Sequence, residues 1–132
     1  MALALQLLMK REIQNSEDVK QLVDSFYQRV NQDDLLSPIF NDFAQVDWGS
    51  HLPKMYQFWE SILFGSATYQ GRPFPKHIPL PISMEHFDRW ISLFETNVDE
   101  QFTGDKAEMA KHRAQTIAHI FKTKLKHLNR IS

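Results

Sequence analysis

Ser50-His-Leu-Pro-Lys-Met-Tyr-Gln-Phe-Trp-Glu-Ser-Ile-Leu-Phe64, followed by Gly65, is the stretch on which the fold turns. Met55, Phe58, Trp59 and Ile62 recur at helical spacing, and a step of four residues back from Met55 puts His51 on the same stripe. With Ser50 as the cap, Pro53 falls in the first turn, where a missing N–H costs little, and Gly65 stops the helix. An imidazole therefore shares a helix face with aromatic rings.

Helices are expected on both sides of it. Upstream, Val19, Leu22, Val23, Phe26, Tyr27 and Val30 follow the cap Asn15-Ser16-Glu17-Asp18, whose acids suit a helix N-terminus. Ser37-Pro38 reads as the start of a short helix carrying Ile39, Phe40 and Phe43. Downstream, Ser83 caps a helix with Phe87, Trp90, Ile91, Phe94 and Val98 on one face, and Asp105-x-x-Glu108 resembles a capping box opening a fifth. The stripe of that last helix runs from Ala107, Ala110 and Ala114 to Ile117, Phe121, Leu125 and Leu128, small residues first, and its tail is basic. Residues 65–82 hold four prolines and two glycines, a long connection of the kind that is functional or disordered, and its aromatic and aliphatic members argue against disorder.

Composition narrows the function. The 132 residues fit one domain, here 1–132 with residues 1–15 as an N-terminal extension. Fifteen basic against sixteen acidic residues give a formal charge of -1, which offers nucleic acid or an anionic membrane no electrostatic attraction. The absence of cysteine excludes disulfides, thiolate metal sites, iron–sulfur clusters and thiol catalysis. The apolar start Met1–Met9 is far shorter than the roughly 20 residues that span a bilayer, and its charges follow it, so no leader is read and the chain is expected to be cytoplasmic.

No G-x-S-x-G, H-E-x-x-H, Walker loop or G-x-G-x-x-G is present, which leaves six histidines. His112, His119 and His127 read as surface residues of the last helix, and His86 as solvent-facing or a partial cap. His51, on its aromatic stripe, and His77, in the proline-rich segment, can each be a satisfied core histidine. Two histidines make a poor zinc site, whereas haem needs only one protein nitrogen and a broad apolar slot.

Six separated segments agree in order and spacing with a known family. Phe26-Tyr27-Gln-Arg-Val30, Leu36-Ser-Pro-Ile-Phe40, Trp48-Gly-Ser-His51-Leu-Pro-Lys54-Met55-Tyr-Gln-Phe58-Trp59, Tyr69-Gln-Gly-Arg-Pro73, Lys76-His77-Ile-Pro-Leu-Pro81 and Phe87-Asp-Arg-Trp90-Ile-Ser-Leu-Phe94 resemble motifs of the truncated haemoglobins, and most nearly their third group. The glycine pairs of the other two groups are missing. The resemblance runs from about Val19 to Phe121 and implies an all-α, globin-like two-over-two helical sandwich around haem b.

It also implies roles. His77 matches the proximal haem iron ligand; Tyr27 and Trp90 match distal hydrogen-bond donors, and His51 the histidine that opens the distal side. Phe40 matches the aromatic packed on the macrocycle, Met55 and Phe58 continue the distal wall, Lys54 matches a position that reaches a propionate, and Lys76 and Phe94 complete the cofactor-binding set. Pro53 departs from the pattern next to His51, and the N-terminal extension has no family role. The implied function is reversible binding of O2, or of NO or CO. The alternative is a haem enzyme of peroxidase or NO-dioxygenase type, which would need an external reductase because the chain carries no flavin motif.

Overall fold

The computed structural model describes residues 10–65 and 80–128. Four α-helices and one π turn lie in that range: α1 (Ser16–Gln32), the π turn Ile39–Phe43, α2 (Trp48–Phe64), α3 (Met84–Gln101) and α4 (Asp105–His127). The only β pairing among the described residues is an isolated bridge between Arg11 and Phe102. Helix α1 packs on α2 and on α3, while α4 packs on α3 and on α2. The result is an all-α two-over-two sandwich, α1 and α2 facing α3 and α4, as expected.

Burial explains the arrangement. Val19, Leu22, Val23, Phe26 and Val30 of α1 meet Trp59 and Leu63 of α2 and Phe94 and Val98 of α3 in one core. Ala107, Ala110 and Ala114 are buried in the same core, so the first half of α4 lies close to its neighbours. Ala118 is buried further along α4, whereas Leu128, read from spacing as part of the stripe, is exposed. Ile13, inside the expected extension, is also core and packs on the bundle just before α1.

One polar group sits fully inside. Asn97 donates to the carbonyl of Leu22 at 3.1 Å and accepts from Arg29 Nε and Gln101 Nε2. Its amide is thereby satisfied at the α1–α3 seam, as burial of a polar group requires.

Three caps differ from the sequence reading. Helix α2 begins at Trp48 rather than after Ser50: Asp47 is the cap, accepting from Gly49 N–H at 3.2 Å. The extra turn is favoured because it buries Trp48 against Tyr27 and Phe40. Pro53 is thus inside the helix, where its ring faces the carbonyl of Gly49 and removes one backbone hydrogen bond. Gly65 closes α2 in the left-handed region, φ 71°, as expected. Helix α4 is capped by Gly104 at φ 92°, a conformation that favours glycine, and Asp105 is its first helical residue, not its cap. Ser37-Pro38 leads into a π turn instead of a separate short α-helix, and Asp33 binds the N–H groups of Leu35 and Leu36 before it.

Asp33 also pairs with Arg89 of α3 at 2.6 Å. Burial alone would raise its carboxyl, but the Leu36 N–H and the Arg89 guanidinium outweigh that and hold it below the ordinary 3.8. Asp18 behaves alike: burial opposes, while Gln14 N–H and Arg11 hold it down. A depressed carboxyl stabilises the fold fully above its unfolded value and loses that contribution as pH falls through the folded one. Asp33→Asn is expected to cost about 1–2 kcal/mol at pH 7, discounted because Arg89 is partly exposed, and progressively less as acid protonates the folded carboxylate. Urea unfolding at pH 7 and in acid reads the difference.

Candidate functional site

A cavity of about 580 Å³ opens between α1, the π turn, α2 and α4. Tyr27 of α1 reaches it because Tyr27 stands one position after Phe26, which turns into the core, so the phenol projects towards α2. From α2 come His51, Lys54, Met55, Phe58 and Trp59, a stripe at steps of three and four. Phe40 of the π turn, Trp90 of α3 and Phe121 of α4 complete the walls. Most of the surface is aromatic or aliphatic; Asp47, Ser50 and Lys54 bring polar groups to it from the N-terminal half of α2. Phe43, also lining it, is 61% exposed.

Tyr27 and His51 meet edge to face, ring centroids 5.5 Å apart at 81°. Trp90 is held from behind: it stacks on Phe94 at 5.7 Å and 18°, and Phe26 meets it edge-on at 5.7 Å. Phe94 in turn stacks on Trp59 at 4.8 Å. Of the cofactor-binding residues expected from the family motifs, Phe40, Lys54, Met55 and Phe58 line the cavity with the three distal candidates. Phe94 does not; it is buried behind Trp90, because the inward face of α3 at that turn is filled by Trp59 and Phe26. His77 and Lys76 lie outside the described residues.

The remaining histidines have other places. His86 Nδ1 accepts from the Ser83 N–H at 3.0 Å, closing a capping box at the start of α3, so the partial-cap reading holds. Its ring borders a small apolar annex of about 80 Å³ that shares Phe40, Trp90, Ile117 and Phe121 with the main cavity. His112, His119 and His127 are exposed on α4. Among the described residues no group of three or more His, Cys, Asp or Glu could hold a metal ion by itself.

Sequence reasoning gave no site role to Phe43, Asp47, Ser50, Trp59, Ile117 and Phe121, which line the cavity, nor to Trp48, which backs its wall. Trp48 lies 5.3 Å from Tyr27, 5.6 Å from His51 and 5.9 Å from Phe40, ring centroid to ring centroid. The signal was its i, i+3 relation to His51, hidden by a helix start placed at Ser50.

These residues fit haem on the chemistry of the donor set and the apolar character of the walls. The cavity is largely apolar, lined by aromatic rings and of small-molecule size, with a phenol, an imidazole and an indole converging on it and an ammonium beside them for an acidic fringe.

The pattern of the bacterial-like globins matches residues 11–126, and the chain belongs to that family, whose members bind haem and, at it, diatomic gases. Within the family the likeness is to the truncated hemoglobins. Over 121 residues the chain is 35% identical to the group 3 truncated hemoglobin of Campylobacter jejuni, covering 89% of this chain and 95% of that one. The crystal structure of the group III truncated hemoglobin from Campylobacter jejuni superposes with a TM-score of 0.80 at 36% identity, again over 89% and 95% of the two chains. The group 2 truncated hemoglobin of Bacillus subtilis is 36% identical over 89 residues, 63% of this chain and 64% of that one. Among the described residues no helix is long and apolar enough to cross a membrane.

Proposed function

We propose that this chain is a single-domain, cytoplasmic haem b protein that reversibly binds O2, with NO and CO as further ligands, on iron held by His77. The observation that carries this reading is the convergence of Tyr27, His51 and Trp90 on one aromatic cavity of about 580 Å³.

Held by His77, haem would supply an iron centre able to take a diatomic ligand. The chain supplies the rest. Tyr27 donates its phenol O–H to the ligand, a partly charge-assisted hydrogen bond worth roughly 1.5–3 kcal/mol. The Trp90 indole N–H is a second donor, fixed in plane by Phe94, and indole N–H is donor only. His51, beside Tyr27, donates from the α2 wall and stands at the distal entry. Phe40, Met55 and Phe58 exclude water, which strengthens each donor. Lys54 places an ammonium where it meets a propionate, and Lys76 extends that role.

The enzymic reading, a peroxidase or NO dioxygenase with an external reductase, draws on the same three donors, because groups that steady bound O2 also polarise an O–O bond. Absorption spectra of the haem-reconstituted protein, ferric, ferrous and ferrous with O2, test the proposal, with stopped-flow O2 release to follow. A Soret band with reversible O2 spectra is expected. Its absence after reconstitution overturns the function, and very slow release moves it towards turnover of NO or peroxide.

A further inference from the structure

Three rings that line the cavity rest on a fourth that does not. Trp48 touches Tyr27 at 5.3 Å, His51 at 5.6 Å and Phe40 at 5.9 Å, yet it is absent from the cavity wall itself. It meets His51 nearly perpendicular, at 84°, and lies nearly parallel to Phe40, at 26°. Such contacts are directional, so the angle of one indole limits the angles of the other rings.

The indole is itself tied down. Its Nε1–H donates to Asn41 Oδ1 at 2.9 Å, and Asn41 Nδ2 donates to Asn31 Oδ1 at 2.8 Å and to the carbonyl and hydroxyl oxygens of Ser37, each at 3.1 Å. Asn31 is on α1 and Asn41 is in the π turn, so these bonds link the start of α2 to both elements that face it.

The backbone gives such a link work to do. Pro53 has no N–H for the Gly49 carbonyl, so the first turn of α2, which carries Trp48 and His51, is joined to the rest of the helix by one hydrogen bond fewer than an ordinary turn. Asp47 holds the other end: its carbonyl accepts from His51 N–H at 2.8 Å and from Ser50 N–H at 3.1 Å. A turn weakened on its C-terminal side is steadied sideways, through Trp48.

We infer that Trp48, oriented by Asn41, is a positioning residue that holds the first turn of α2 and thereby sets Tyr27 and His51 towards the ligand. The inference rests on the proposed haem reading for its second half and on the fold alone for its first.

Hydrogen exchange of the His51 and Leu52 amides, read on the full chain as purified, tests the first half. Asn41→Ala and Trp48→Phe are each expected to speed exchange there about fivefold, the equivalent of one ordinary hydrogen bond, with little change in α4. The C–O stretch of the CO-loaded protein tests the second half, since it reports the field at the ligand rather than the stability of the fold. It is expected to shift or split in Trp48→Phe and Asn41→Ala. Unchanged exchange in both variants overturns the first half of the inference, and an unchanged stretch in both overturns the second. A chain that takes up no haem defeats the functional proposal, and the exchange rates then decide the role of Trp48 alone.

Discussion

His77→Ala is expected to lose haem, with the Soret band of the reconstituted protein falling away and the cofactor lost on gel filtration. In the proposed function His77 would be the one side chain that holds the iron. Mutating groups that merely orient a metal ligand already costs about 10–100-fold in affinity, so removing the ligand itself is expected to cost more than that. The other histidines lie elsewhere: His86 caps α3, His112, His119 and His127 are exposed on α4, and His51 belongs to the cluster with Tyr27 and Trp48. His51→Ala is therefore expected to keep the cofactor. Haem titration of both variants separates the two imidazoles, and a His77→Ala protein with unchanged haem affinity and spectrum would remove His77 from the iron.

Tyr27→Phe is expected to release O2 roughly ten- to a hundredfold faster, the kinetic equivalent of a donor bond of about 1.5–3 kcal/mol that must break on the way out. The substitution keeps the ring, and with it the contacts to Phe26, Phe40, Trp48 and His51 that hold residue 27 in place. Stability should therefore change little while the off-rate changes much. Stopped-flow O2 release with the urea midpoint of the same samples reads both. An unchanged off-rate would make Tyr27 a packing residue only.

Much of the fold was legible because it depends on periodicity. The spacing of Val19 to Val30 defines α1, and the stripe Phe87, Trp90, Phe94 and Val98 defines α3, since burying one face of a helix needs apolar residues at steps of three and four. Asn15, Ser83 and Gly65 act as the sequence suggests, because capping chemistry is local. The stripe from His51 to Trp59 likewise puts four cavity residues, His51, Met55, Phe58 and Trp59, on one wall by spacing alone.

What escaped was decided between elements. The start of α2 shifted back to Asp47 because Trp48 gains contacts with Tyr27 and Phe40 that a cap at Ser50 would forgo, and no local rule weighs a cap against a tertiary contact. Phe94 and Trp90 stand four apart on the same stripe, yet one is buried behind the cavity and the other lines it, because Trp59 of α2 already occupies the face that Phe94 meets. The sequence by itself determined the helices, the chemistry of the candidate donors and the family. Only the tertiary structure decided which rings face the cavity and which support them, because a side chain's role there depends on what the neighbouring helix has already filled.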